Sequence, residues 1–233
     1  DAEQAEALAK IGRRVEDHAA HMRRAADGED LKLTLKHAAM LLHELRTGKL
    51  SPKVYYSLYM QVFSHLVFLN GFFSQLVAKG QKAGEIYEMV QHAGNVLPRL
   101  YLMATAGAVL IDSEEVPARE VLFDLMEMCK GVQHPTRGLF LRYYVLQTLK
   151  ARLPEQGGRF EGAGGSVGDS LTFLLHMFSE MTALWVRLEA VSETRSAKRR
   201  TRERRELRML AAAPLEHMSM REGVCAEVFA ESV

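Results

Sequence analysis

Apolar side chains recur at intervals of three and four along almost the whole chain, the period of helices that bury one face. Residues 3 to 26 carry Ala5, Leu8, Ile11, Val15, Ala19 and Met22 on one stripe, and Gly28 closes that segment. Asp30 caps a second helix through about Thr47, with Leu31, Leu35, Ala38, Leu42 and Leu45 as its apolar positions. Ser51-Pro52 joins a cap to a proline at the first helical position and starts a third helix that reaches about Lys79. Its stripe of Val54, Leu58, Val62, Leu66, Leu69, Phe73 and Leu76 is widened by Tyr55, Tyr56, Tyr59, Phe63, Phe68 and Phe72. A stripe that wide meets two neighbours, as in stacked helix pairs.

Gly80 and Gly84 bracket a turn, a short helix spans Glu85 to Ala93, and Gly94 is expected to end it in left-handed backbone. The stretch that follows is the most apolar of the chain. From Leu100 to Ile111 there is no charged side chain, and Tyr101, Leu102, Met103 and Val109 point around the helical wheel. Such a helix is buried on all sides. A charge-free run of about a dozen residues is short for a bilayer span. Asn95 is the expected cap, which keeps Pro98 in the first turn, where its missing N–H has no partner to lose.

Asp112 to Glu115 form a solvated turn; Val121, Leu122, Leu125, Met128 and Cys129 mark the next helix, which stops at Gly131. Pro135 forces His134 into an extended shape, and a helix follows from about Thr136 to Leu153. Residues 154 to 168 hold six of the 17 glycines and no apolar period, so 155–168 is expected to be a flexible insertion. Asp169 caps a long helix buried through Leu171, Leu174, Leu175, Phe178, Met181, Leu184, Trp185 and Leu188, which continues solvated to Leu210. Pro214 is expected to break it, and Glu216 to begin a last helix that the chain leaves unfinished, as in a piece of something longer. Helices joined by short links and no strand pattern predict an all-α protein. Broad apolar faces favour a right-handed α-solenoid of stacked antiparallel helix pairs, similar to HEAT repeats.

With 48% apolar and 25% charged residues and a net charge of +1, composition is that of an ordinary soluble protein. The two cysteines, Cys129 and Cys225, lack metal-like spacing and are expected to be reduced thiols. Charge is uneven. Residues 193 to 208 carry eight basic side chains against three acidic ones. A nucleic-acid or acidic partner is one implication. Against it, Arg199 and Arg202 have Glu203 and Glu206 four residues on, and no aromatic residue interleaves to stack on bases.

Candidate chemistry is sparse. His18 and His21 lack an identified third metal ligand. Gly164-Gly-Ser166-Val-Gly168 matches the Gly-x-Ser-x-Gly pattern of hydrolases, but no strand precedes the serine. No catalytic set, cofactor loop or metal set stands out. Arg99 does: its neighbours at three and four positions, Asn95, Val96, Leu102 and Met103, include no carboxylate. It therefore either holds its head in water at the helix start or meets an acidic group elsewhere, on this chain or another.

Three stretches carry a resemblance: Leu42-His-Glu-Leu-Arg-Thr-Gly-Lys-Leu-Ser-Pro-Lys-Val-Tyr-Tyr-Ser-Leu-Tyr-Met60, Asn95-Val-Leu-Pro-Arg-Leu-Tyr-Leu-Met103, and the run from Asp124 through Cys129 and His134 to Arg142. They resemble the N-terminal part of the large α-solenoid subunit of retromer, the vacuolar protein sorting 35 family. Phe178 to Trp185 and the Arg-rich run to Leu210 extend the likeness over nearly the whole chain. The resemblance implies a non-enzymatic cytoplasmic scaffold, peripheral on endosomal membranes, that retrieves transmembrane cargo to the Golgi and plasma membrane. It implies that Pro98, Arg99, Leu100, Tyr101 and Leu102 engage the arrestin-like subunit, vacuolar protein sorting 26, with Pro98 and Tyr101 shaping the contact around Arg99. It also implies a phosphoinositide-binding sorting nexin and a late-endosomal Rab GTPase as partners. A metallophosphoesterase-fold subunit would bind a C-terminal half absent from this sequence, and cargo tails would be met indirectly. No cofactor or nucleic acid is implied. The alternative left open is a basic helical nucleic-acid-binding or other protein-interaction module.

Overall fold

The computed structural model describes residues 2–190 and 197–220, apart from the side chains at 189–190, 197–200 and 203–204. Among these residues lie nine α-helices and no strand. They are α1 (Ala2–Asp27), α2 (Leu31–His43), α3 (Pro52–Ala78), α4 (Ala83–Gln91), α5 (Val96–Ser113), α6 (Ala118–Cys129), α7 (Pro135–Leu149), α8 (Val167–Ala190) and α9 (Ala197–Ser219). Single 3-10 turns, Glu44–Arg46 and Lys150–Arg152, extend α2 and α7.

The helices gather into two compact units, Asp1–Val109 and Leu110–Val233. In the first, α1 packs on α2 and α3, and α3 on α4. In the second, α6 packs on α7 and α8, α7 on α8 and α9, and α8 on α9. Packing confined to near neighbours in sequence is the pattern of an all-α solenoid.

Local chemistry explains most boundaries. The Asp30 carboxylate accepts from the Leu33 amide at 2.9 Å and caps α2. Pro52 opens α3 after Ser51, but the Ser51 side chain makes no cap bond; instead its amide donates to Gln4 Oε1 at 2.8 Å. His134 is extended before Pro135, and its ring accepts from the Arg137 amide. At the end of α1 the left-handed residue is Glu29, at φ 55°, not Gly28. Asp30 donates back to Ala25 and Glu29 to Ala26, the paired bonds of a Schellman end, with α1 one residue longer than its apolar stripe suggests. Gly80, at φ 101°, fills the equivalent place after α3. Gly94 does not adopt left-handed backbone; α4 stops at Gln91, capped by the His92 amide donating to Met89 and Val90.

The middle of α5 is buried: every residue from Leu100 to Ile111 is in the core. Its 18 residues match a bilayer by length and composition, yet the side chains are spent on packing against protein. Asn70 of α3 donates to the Thr105 carbonyl at 3.2 Å and ties the two helices.

Pro214 does not end α9. The helix runs through it to Ser219, because Leu207, Leu210, Ala211 and Pro214 form a buried stripe against α8 that offsets the lost amide bond. Residues 216–219, expected to begin a last helix, instead complete α9; the rest of that expected helix, from 221 on, and Cys225 lie outside the described residues.

The glycine-rich segment carries specific contacts. Gly164 accepts from the Arg119 amide at 2.9 Å, Arg159 pairs with Glu114 at 2.8 Å, and Pro154 accepts from the Ser170 hydroxyl.

Candidate functional site

The site is built where α4 gives way to α5. Residues 92–95 make the turn, and the Arg99 amide donates to the Asn95 carbonyl at 3.0 Å, closing the first turn of α5. The Arg99 side chain folds back over this turn: Nε donates to the Ala93 carbonyl at 2.7 Å. Arg99 is half-buried and has no ion pair among the described residues. Its Nη groups have no protein acceptor there, so the guanidinium is anchored at one corner and open at the other. Among the described residues no carboxylate of this chain meets it. The head is held, but by a carbonyl of the adjoining turn.

The four residues around it behave differently. Leu100 and Tyr101 are wholly buried and Leu102 is 1% exposed. Tyr101, expected to shape a contact together with Pro98, presents no surface; it fixes α5 in the core. Pro98 and Leu102 are buried but show atoms at the base of two furrows that run beside the α4–α5 turn. One, of about 340 Å³, lies between Pro98, Asn95 and the α2 residues Met40 and His43. The other, of about 440 Å³, lies between Leu102, Met89, Ala93 and the α2 residues Leu35 and Met40.

A histidine cluster adjoins the first furrow. His37 of α2 stacks on His21 of α1 at 5.1 Å between ring centroids and lies 6.3 Å from His18. The His21 Nδ1–H donates to the Asp17 carbonyl at 2.7 Å. Burial lowers the proton affinity of His37, and His21, His18 and Lys36 lower it further. Stacked rings do not converge on a point, and no group of three such ligands able to hold a metal exists among the described residues.

Ser166 caps α8. Its amide and hydroxyl both donate to Asp169 Oδ2, at 2.7 and 2.9 Å, and its oxygen accepts from the Asp169 amide. This is a capping box, so Asp169 sits in the first turn rather than at the cap. In the basic run, Arg202 pairs with Glu206 at 3.0 Å, and Arg205 and Arg208 are exposed. Arg195 and the Arg199–Glu203 pair lie outside what is described.

The most elaborate polar arrangement went unpredicted. Arg142 is buried at 0% exposure and donates to the carbonyls of Cys129, Val132 and Gly138 and to the Glu180 carboxylate. Cys129 is buried beside it, and burial pushes its thiol up to about 11, outweighing the opposing pull of Arg142. Burial so disfavours the thiolate, the reactive form.

Comparison with known proteins identifies the family. The family model of vacuolar protein sorting-associated protein 35 matches residues 7–233. The chain belongs to that family. It is 48% identical over 216 residues to vacuolar protein sorting-associated protein 35A of Arabidopsis thaliana, covering 93% of this chain and 27% of that protein. Identity to vacuolar protein sorting-associated protein 35 of Dictyostelium discoideum is 45% over 91% of this chain and 27% of the relative. For the Schizosaccharomyces pombe protein of that name it is 40% over 79% of this chain and 22% of the relative. The chain thus spans about a quarter of the length of these relatives, as the resemblance in its sequence implied.

Proposed function

We propose that this chain is the N-terminal part of a non-enzymatic scaffold subunit of the retromer cargo-selective complex. In this role it binds an arrestin-like subunit, vacuolar protein sorting 26, around Arg99. The complex works on the cytoplasmic face of endosomes and returns transmembrane cargo to the Golgi and plasma membrane. A phosphoinositide-binding sorting nexin and a late-endosomal Rab GTPase are its further partners. The metallophosphoesterase-fold subunit joins through the remainder of the longer protein.

One observation carries this reading: in a chain matching the family over residues 7–233, Arg99 is fixed at Nε while its Nη groups have no acceptor among the described residues. Guanidinium donors held in a defined direction at a half-buried site suit a carboxylate or carbonyl of a partner. Isothermal calorimetry with the arrestin-like subunit tests it. Arg99→Ala is expected to weaken binding by about 2–5 kcal/mol while circular dichroism stays unchanged, since a desolvated acceptor is left unpaired. Unchanged affinity in the folded variant would show that Arg99 serves only the α4–α5 turn.

A further inference from the structure

The two furrows beside the α4–α5 turn share Ala39 and Met40, so they form one trough along the outer face of α2. Lys32, Leu35, Lys36, Ala39, Met40 and His43 follow at helical spacing along that face. The floor is apolar, made by Leu35, Ala39, Met40, Met89, Val90 and Leu102. Met40 is 42% exposed at the point shared by both furrows. An unbranched thioether there adapts to varied side chains.

The fixed positive charges on the rim are Lys32 and Lys36. Lys32, Lys36, His18, His43 and His92 line the trough. The one carboxylate in the lining is Glu44, and its charge is taken by Arg14 at 2.6 Å. Asp17 and Glu88, exposed neighbours in sequence of His18 and Met89, do not line it. We propose that this trough binds an extended acidic peptide segment of another protein, whose apolar side chains enter the floor while its carboxylates meet Lys32 and Lys36. Charge complementarity selects the sign of the occupant. Shape selects its form, because a concave apolar floor receives side chains from a strand, whereas a bilayer takes up a convex apolar ridge. Lys32, Lys36 and Met40, the residues changed in the test, lie on α2 outside the Pro98–Leu102 motif, whose Pro98 and Leu102 only floor the trough.

Fluorescence anisotropy with the full chain tests the proposal. The probe is a fluorescein-labelled peptide of two leucines flanked on each side by three aspartates; its control carries lysines in place of the aspartates. The acidic peptide should bind, more weakly at high salt, and the lysine peptide should not. Lys32→Glu with Lys36→Glu should lower affinity at least about tenfold. Met40→Asp should do the same, while Lys10→Glu on the exposed surface of α1 should not. Circular dichroism identifies any variant that fails to fold, and the Met40 and Lys32/Lys36 variants check one another. Equal binding of both peptides, or an acidic peptide indifferent to both sets of changes, overturns the proposal. So does a dimer in sedimentation that Met40→Asp abolishes, or capture by phosphatidylserine vesicles without peptide binding.

Discussion

The buried guanidinium of Arg142 donates to the Glu180 carboxylate at 3.0 Å. The same group donates to the Cys129 carbonyl at 2.9 Å and the Val132 carbonyl at 3.1 Å, so one cation fastens the end of α6, the start of α7 and the middle of α8. A planar fork serves this geometry where a single ammonium does not. Glu180→Ala leaves the cation buried with dipoles alone. Its expected cost is about 3 kcal/mol of stability, at the low end for a broken buried pair because Glu180 keeps some contact with water. Urea unfolding at unchanged m value measures it.

Gly138 is required by the same cluster. A Cβ at this position would lie 2.7 Å from Leu184 Cδ1, 2.9 Å from the Val132 oxygen and 3.0 Å from Arg142 Nη1. The leucine end can move, but the carbonyl is backbone and already accepts from Arg142. Gly138→Ala is therefore expected to destabilise by about 1–3 kcal/mol despite alanine's better helix propensity. A lower urea midpoint checks it, and a rise in stability would show that the α6–α7 turn yields.

Helix periods and caps were legible because they are local. Asp30 caps α2, Pro52 opens α3 and the charge-free run of α5 is buried, as their sequences imply, although Ser51 makes no cap bond. What depends on tertiary packing was not. Pro214 looks like a breaker until α8 buries its stripe. Arg142 was within reach: Gly138, Leu139, Val145 and Leu146 offer it no carboxylate, the same signal that singled out Arg99. Its acceptors lie up to 38 residues away in sequence, so only the fold shows that they meet it. Likewise the trough beside Arg99 needs α2 laid against the α4–α5 turn, which no single segment encodes.

Cys129 should resist modification. Its thiol is buried and pushed up to about 11, so at pH near 8 the thiolate fraction is negligible. Iodoacetamide applied to the native chain should leave the Cys129 peptide unlabelled by mass spectrometry, and labelling should appear in urea. Native labelling at a rate typical of free thiols would mean that α6 opens readily from α7 and α8.

Stability should fall on acidification, with His37 as one source. Burial, then His21, His18 and Lys36, hold its pKa below the ordinary 6.5. His176 is lowered in the same direction, by burial first and then Lys130. The unfolded chain therefore binds these protons more tightly than the folded one, and stability rises with pH in this range. The contribution is complete above about pH 6.5 and is lost as pH falls through the lowered folded values. Urea midpoints taken between about pH 7.5 and 5.5 should decline, and His37→Gln should flatten part of that slope. An identical slope in the variant would assign the dependence elsewhere.

Arg99→Lys separates the two duties of the site. The Nε bond to Ala93, at 2.7 Å, secures the α4–α5 turn, and a lysine ammonium at the same position has the reach to make one such bond. What lysine lacks is the second edge of the fork, the Nη pair left open toward the partner. Arg99→Ala removes both and should cost the isolated chain about 1 kcal/mol, the net worth of one hydrogen bond. Arg99→Lys should keep the unfolding midpoint close to that of the parent chain while lowering affinity for the arrestin-like subunit at least about tenfold. Denaturation and calorimetry on the same preparations read the two quantities independently. If Arg99→Lys binds as tightly as the parent, positive charge alone suffices and the fork has no part in recognition. If it loses stability as alanine does, the turn itself demands guanidinium geometry, and weaker binding would follow from a loosened α5 start rather than from a missing contact.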